Sequence, residues 1–423
     1  MQDIENNQFK VAYNGRKGPL FKIGLMTGLF TLLTLGIYRF WARTRVRKYM
    51  WSAIAPNEHS LEYTGTGLEK FLGFLIAVAV LAVYLGIFQL LLAFFGYSLF
   101  TQAETPGAVL VQQLIFYLAI LVTLPLIYYA QYRARRYVLS RTRWQGIRFG
   151  AEAAAWGYVK LALKNLFVTV ITLGILLPRQ TFNLEKYRID RSWYGNAQFA
   201  QEGTWKMLLP AMKQTYIGMA ITLLGVILIG FGGYNTYTSG SFGDESGEGI
   251  GSMVFGFTVI SLGYSWWLVG FQIYQVASWR ILANHKTLGQ AVTFESKVDT
   301  ADVILAKVFG GMLAGFVALI VAAIFGGILG FALYGIFNSL DEAVGPQSGE
   351  LRVALGTLLG YIIFFVAFGA IALVSIAQPI LRNFASTLTI QNADQLAKIG
   401  QREGDDFVEA EGFADALDVG AAI

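Results

Sequence analysis

Charge is spaced along this chain in a way that few soluble folds tolerate. Six stretches carry no Asp, Glu, Lys or Arg: Leu72 to Ala103, Thr105 to Tyr132, Gln214 to Gly243, Gly249 to Trp279, Val308 to Leu340 and Val353 to Leu381. Each runs for about 30 residues, and roughly 20 apolar residues of helix suffice to cross the hydrocarbon core of a bilayer. The chain is therefore expected to be an integral membrane protein. Its 14% of charged residues compares with about a quarter in soluble domains. There is no Cys, and the two histidines are His59 and His285. Disulfides, thiol catalysis and a multi-histidine metal site within one chain are thus excluded. Neither a P-loop, a nucleophile elbow nor a dinucleotide fingerprint occurs, so no enzyme activity, no metal and no cofactor is expected.

The loops give an orientation. Basic residues near span ends mark the cytoplasmic side. The loops Phe100 to Ala108, Tyr237 to Gly251 and Asn338 to Leu351 hold no Lys or Arg. The connectors between the long hairpins hold Arg133, Arg135, Arg136, Arg141, Arg143 and Arg148, then Lys186, Arg188 and Arg191, then Arg280, Lys286 and Lys297. Of 32 basic residues, only Arg352 borders one of the three neutral or acidic loops. The pattern predicts three helical hairpins with both termini in the cytoplasm. The polar stretch Met1 to Pro19 has no apolar core of a signal peptide, so the spans themselves are expected to direct insertion.

Two shorter apolar segments, Ile23 to Tyr38 and Asn165 to Pro178, have basic residues on both sides. A single crossing by Asn165 to Pro178 would put the connector around Lys186 outside and the loop around Asp244 inside, against the rule. Both segments therefore read as re-entrant or interfacial helices. The alternative is that both cross, for eight spans. The segments also repeat one another. Lys22, and Thr31 through Gly36-Ile37, recur 138 residues later as Lys160, and Thr169 through Gly174-Ile175. Alternating segments such as Leu61-Glu62-Tyr63, Gln145 to Phe149, Ala197-Gln198-Phe199 and Ala291 to Phe294 read as short strands, expected to pair into small cytoplasmic β-ribbons. The expected fold is an all-α polytopic membrane protein of six transmembrane helices in three hairpins, with two short re-entrant or interfacial helices. Its units are a cytoplasmic segment 1–20, repeat unit 1 over 21–131, repeat unit 2 over 132–280, repeat unit 3 over 281–390, lacking the short helix, and an acidic cytoplasmic tail 391–423.

The run from Phe21-Lys22-Ile23 through Leu33-Thr34-Leu35-Gly36-Ile37-Tyr38-Arg39-Phe40-Trp41-Ala42-Arg43 to Arg47-Lys48-Tyr49 resembles a signature of the YjgN-like bacterial inner-membrane proteins. So do Leu61 to Gly67 and the tail Gly412 to Val419. The resemblance implies a bacterial inner-membrane location and a polytopic helical fold. That family is one of unknown function, so the resemblance brings no catalytic residues.

Arg39, Arg43 and Arg47 are spaced i, i+4, i+8 and share one helical face. With Lys48 nearby and Tyr38, Trp41, Tyr49 and Trp51 interleaved, they suit anionic lipid headgroups or a phosphorylated ligand; a plain positive-inside anchor is the alternative. Arg135 and Arg136 belong to a second cluster with the same two readings. Lys213 is the one charge inside a candidate span, a transport-path candidate unless it snorkels to the interface. The expected partners are membrane lipids, with homo-oligomerisation left open and nucleic acid excluded, since no nucleic-acid-binding motif occurs. The leading function expected is transport of a small solute or lipid; the alternative is a non-catalytic scaffold or anionic-lipid-binding protein.

Overall fold

A computed structural model describes residues 7–98, 105–238, 248–289, 291–344 and 348–402, without the side chains of 248–250, 332–353 and 355. The acidic tail from Glu403, the Gly412 to Val419 motif and residues 99–104, 239–247 and 345–347 of the three arginine-poor loops lie outside the described residues, as does the side chain of Arg352.

The four alternating segments do become strands, and six further strands join them: in chain order β1 (Gln8–Tyr13), β2 (Ile54–Pro56), β3 (Glu62–Tyr63), β4 (Thr142–Trp144), β5 (Ile147–Ala151), β6 (Ser192–Tyr194), β7 (Ala197–Gln201), β8 (Lys286–Leu288), β9 (Val292–Ser296) and β10 (Leu388–Gln391), of which β3, β5, β7 and β9 hold the expected segments. They do not stay apart as separate ribbons. All ten join one antiparallel sheet in the order β2-β1-β10-β9-β8-β7-β6-β5-β4-β3. This corrects the expectation of an all-α protein with small ribbons. The physical reason is the edge of each ribbon: a lone pair of short strands leaves unpaired backbone groups on both sides, and joining the ribbons pairs them. Even the two edge strands approach each other, with Leu61 N–H donating to Ile54 O at 2.9 Å.

Alternate residues of the strands point into one shared core: Phe9 and Val11, Ile147 and Phe149, Ala197 and Phe199, Val292 and Phe294, Leu388 and Ile390. Trp144 and Tyr194 complete it, the Tyr194 hydroxyl donating to Trp144 O at 3.1 Å. The period of two thus puts one face of every ribbon inward and the other outward. A 3₁₀ turn, Ala393–Lys398, adds Ala393 and Leu396 to this core. Beyond it Gly400 O accepts from Asn196 N–H at 3.0 Å, and the Arg402 guanidinium lies 4.8 Å from the Trp193 ring.

The helices are α1 (Lys17–Leu33), α2 (Arg39–Ser52), α3 (Gly67–Phe94), α4 (Pro106–Ser140), α5 (Ala155–Ile171), α6 (Leu177–Ile189), α7 (Lys213–Thr238), α8 (Glu248–Ala283), α9 (Thr300–Val344), α10 (Ser348–Ala372) and α11 (Gln378–Ser386). Among the described residues six helical stretches are long and apolar enough to cross a membrane, one in each of α3, α4, α7, α8, α9 and the α10–α11 run. Every helical excursion is bracketed by two paired strands: β1 with β2, β3 with β4, β5 with β6, β7 with β8 and β9 with β10. Each excursion, short or long, therefore leaves and rejoins the same sheet. This rules out the eight-span alternative, in which the short segments would cross singly.

The two short pairs, α1–α2 and α5–α6, turn in the same way. Gly36 N–H bonds to Thr31 O and Gly174 N–H to Thr169 O, both at 2.7 Å. Leu35 and Leu173 sit at φ 50°, the left-handed position that usually falls to glycine at a helix end. The Thr34 and Thr172 hydroxyls then brace the turns, accepting from Tyr38 N–H at 2.9 Å and Leu176 N–H at 3.3 Å.

Glycine permits close helix approach. A Cβ at Gly218, Gly225, Gly263 or Gly270 would lie within 2.7 Å of backbone across the α7–α8 pair. Backbones approach this closely only where side chains are missing. The start of α3 is fixed by Thr66 and Glu69, which cap each other's backbone N–H groups, a reciprocal arrangement that satisfies two otherwise orphan donors. Glu69 also accepts from the Tyr137 hydroxyl (2.7 Å) and Arg141 (3.0 Å), tying α3 to the end of α4.

Candidate functional site

Helix α2 carries Arg39, Arg43, Arg45, Arg47 and Lys48 and contributes no carboxylate of its own. Its apolar side seats it on α3: the Phe40 ring centre lies 5.6 Å from Phe71 and 5.1 Å from Phe74, and Trp41 lies 5.9 Å from Phe71. Gly67 permits this, since a Cβ there would stand 2.5 Å from the Trp41 ring. Arg47 is anchored, its guanidinium 5.7 Å from the Trp51 ring and 5.4 Å from the Tyr63 ring, with Nη1 donating to the Tyr63 hydroxyl at 3.4 Å. Arg39 and Lys48 are exposed and Arg43 half-buried. Lys48 borders a shallow cleft with His59, Ser60 and Gln145. The three arginines therefore share a helix but not a role: Arg47 is a packed strut, and Arg39 and Arg43 lie nearer the turn.

Beside that turn runs a groove of ≈ 660 Å³, lined by Thr27, Thr31 and Leu35 of the first short pair and by Tyr361, Phe365 and Leu373 of the last span. Two contacts set its geometry. Gly24 of α1 packs on Ala370, and Gly28 on Val366, so α1 ascends antiparallel to α10. Ala42 of α2 also lines the groove, and Arg39, three residues before it, lies on the same helical face. A comparable apolar groove of ≈ 730 Å³ adjoins the other turn, lined by Leu173, Ile175, Tyr216, Met219 and Trp267.

Arg135 and Arg136 meet different partners. Arg136 Nε donates to Ala151 O at 3.1 Å. Arg135 joins a cluster around Glu185 of α6 that the sequence did not reveal. Glu185 Oε2 is 2.7 Å from Arg188 Nη2, and Oε1 is 2.8 Å from Lys286 Nζ. Burial alone would raise the Glu185 carboxyl; Lys286, Arg188 and Arg135 override it and hold the group far below the usual carboxylate range. Tyr132 and Tyr158 pack beside this cluster, both buried. Lys213 is exposed at the first residue of α7, after the 3₁₀ turns Trp205–Leu208 and Pro210–Met212.

A further cation was missed. Lys70, in the first turns of α3, is fully buried, with Nζ 5.3 Å from the Tyr63 ring centre. It is the last charge before an apolar run, which in sequence reads as an ordinary interface anchor. Among the described residues no group of three or more His, Cys, Asp or Glu could hold a metal. His59 and His285 each turn Nδ1 to a nearby backbone carbonyl, Asn57 O and Ile281 O, both at 2.8 Å.

The comparison with known families decides the affiliation. The family described as bacterial protein of unknown function (DUF898) matches residues 8–310, more than half of the chain. This chain belongs to that family. Inner membrane protein YjgN of Salmonella typhimurium is 29% identical over 85 residues, 20% of this chain and 22% of that relative. The match thus spans about a fifth of the relative's length. No solved structure matches. Family membership, that relative's name and the six apolar helices together support a multi-pass inner-membrane protein.

Proposed function

We propose that this protein is a non-catalytic membrane scaffold that binds anionic phospholipid at the cytoplasmic leaflet. The observation that carries the reading is α2: five cations on one helix without a carboxylate, running from a turn that exposes Leu35 (96%) and Leu33 (76%). Exposed leucine suits acyl chains, and guanidinium matches phosphate in a two-pronged geometry. In this reading Arg39 and Arg43 hold the headgroup, and the α1–α10 groove takes an acyl chain. The ten-stranded sheet then lies in the cytoplasm, in line with the basic connectors.

Native mass spectrometry of the protein released from mixed micelles tests this. Arg39→Gln with Arg43→Gln should lower retention of phosphatidylglycerol and leave phosphatidylcholine unaffected; equal retention of both by both forms would sink the reading. A reporter placed in the exposed Gln145–Gly146 turn should be read in the cytoplasm. The transport reading draws support from the two duplicated short helix pairs; solute flux in proteoliposomes would favour it over the scaffold.

A further inference from the structure

Charge does not balance locally around the first long hairpin. Helices α2, α3 and α4 together carry nine Lys and Arg and one carboxylate, Glu69. Glu69 is engaged by the Tyr137 hydroxyl and Arg141, and Arg135 belongs to the Glu185 cluster. Several of the other cations gather where the three helices meet, at Tyr63. Arg47 and Lys70 lie 5.4 and 5.3 Å from its ring centre, and Tyr63 packs with Tyr137 of α4. Arg43 stands four residues before Arg47, and Arg133 four before Tyr137. Each therefore lies one turn farther from the sheet, on the same side of its helix. Arg39 is exposed, and Arg43, Arg47 and Arg133 are half-buried, so all four keep accessible surface. Lys70, fully buried, adds its charge from behind.

The last segment of the chain has the opposite sign. Residues 403–423, outside the described residues, contain seven Asp and Glu, from Glu403 to Asp418, and no Lys or Arg. Phe407, Phe413 and Leu417 are interspersed among them. Aromatic side chains likewise interleave the α2 arginines, with Tyr38 and Trp41 on either side of Arg39.

The segment starts from a fixed point on the right side of the sheet. Gln401 Oε1 accepts from Arg148 N–H of β5 at 2.9 Å, and Arg402 lies over Trp193 of β6. Strands β6, β5, β4 and β3 are consecutive neighbours. At about 4.8 Å per strand, the segment begins about 14 Å across the sheet from the strand of Tyr63. Its 21 residues reach up to about 70 Å when extended. From Arg47 to Arg39 is a further rise of only about 12 Å along α2. The nearer cations of α6 are a poorer match, because Glu185 and Asp190 already stand within 3.0 Å of them.

We propose that residues 403–423 dock along the cationic face shared by α2 and α4, as the chain's own counter-ion, with carboxylates on Arg39, Arg43 and Arg133. Arginine clusters are a recurrent seat for acidic segments, and tethering raises the effective concentration of such a segment well above that of a free peptide. The segment then competes with anionic phospholipid for the same guanidinium groups; that consequence, unlike the docking itself, rests on the lipid reading of α2.

The test uses the full chain in a non-ionic detergent, with a photoreactive benzoylphenylalanine in place of Phe413. Irradiation and peptide mapping should join this position to α2 or α4 of the same chain. Mixing isotopically heavy and light protein distinguishes a second copy as the acceptor. Arg39→Gln with Arg43→Gln should cut the yield about fivefold or more, as should Asp415→Asn with Asp418→Asn. Salt at about 1 M, which shortens screening to about 3 Å, should do the same. Melting temperatures show that the variants fold. Cross-links to another copy, cross-links to the sheet alone, no cross-link, or a yield unmoved by these changes overturns the proposal. Phosphatidylglycerol retention separates the docking from the lipid reading. Asp415→Asn with Asp418→Asn should raise retention about threefold or more. Unchanged retention, with the α2 cross-link present in the parent chain, sinks the lipid reading and leaves the docking standing.

Discussion

Helices α2 and α6 follow the same left-handed Leu–Gly turn and lead into the same sheet, and they differ in the charges they carry. Around α6 ion pairs form at close range: Arg188 and, from β8, Lys286 on Glu185, and Lys186 on Asp190 at 3.0 Å. In α2 no acidic residue stands on the helix at all. The surroundings follow suit. α6 buries Phe182 and Leu184 among Leu208, Tyr274 and Tyr158, while α2 keeps Arg39 and Lys48 exposed. One backbone frame thus serves two ends, a cross-braced joint in the second short pair and a cationic surface in the first.

The contrast is broken most sharply at Glu185. Glu185→Gln leaves Arg135, Arg188 and Lys286 crowded without their shared anion. Removing one partner of a buried ion pair costs about 3–5 kcal/mol, so the thermal midpoint in detergent should fall by more than in any α2 arginine variant. The pH dependence has a definite sign. The folded-state pKa of Glu185 is depressed from the ordinary 4.5. Its stabilisation is present in full above that value and is lost as pH falls toward the folded pKa. Melting followed from pH 7 downward should hold steady until about pH 5 and then decline, and Glu185→Gln should flatten that decline.

The Arg39→Gln/Arg43→Gln pair sharpens the other side. Basic residues near an anionic surface contribute about 1 kcal/mol each. Phosphatidylglycerol retention should drop by about tenfold or more at low salt, with the melting midpoint nearly unchanged. Equal loss of stability in this variant and in Glu185→Gln would erase the distinction drawn between the two helices. The smallest effect belongs to the turns. A non-glycine residue in the left-handed region costs about 1–2 kcal/mol. Leu35→Gly and Leu173→Gly should each raise stability in detergent by up to about 1 kcal/mol, read as a small rise in melting temperature.

What was legible in the sequence follows from pattern length. Runs such as Gln214 to Gly243 mark spans, because about 30 uncharged, mostly apolar residues exceed the roughly 20 that cross a bilayer core. A short helix in each of Ile23 to Tyr38 and Asn165 to Pro178 was legible from basic residues on both flanks; the turns at Leu35 and Leu173, which end α1 and α5 inside those segments and start a second helix, were not. Strands β3, β5, β7 and β9 were legible one at a time, from alternation as in Gln145 to Phe149 or Ala291 to Phe294; the other six, most of them three or four residues long, were not. Their union was not, since nothing local in β1 says that its partner is β10. Glycine spacing alone does not locate the close helix contacts. Gly311 and Gly315 have the small-xxx-small spacing, but a Cβ at Gly315 would meet nothing within 4 Å, while Gly218 through Gly270 bring α7 and α8 together without so tidy a motif. The arginines of α2 stood out by spacing. Glu185 and Lys286 did not, being 101 residues apart, and a lone Glu in a basic connector looks like solvated polarity until the fold surrounds it.

The pairing of β1 with β10 also bears on assembly. Asn7 and Asp394, 387 positions apart, exchange two hydrogen bonds of 2.6 and 2.9 Å. Contacts so remote in sequence form late, because the intervening chain must be ordered before they gain anything. A ribosome making this protein releases β1 long before β10 exists. During that interval every hydrophobic excursion has to be threaded into lipid, while the opening strand waits with one flank bare. Closure of the sheet is thus a late checkpoint on biogenesis: it is completed only by chains whose intervening hairpins have all come back to the side from which they set out.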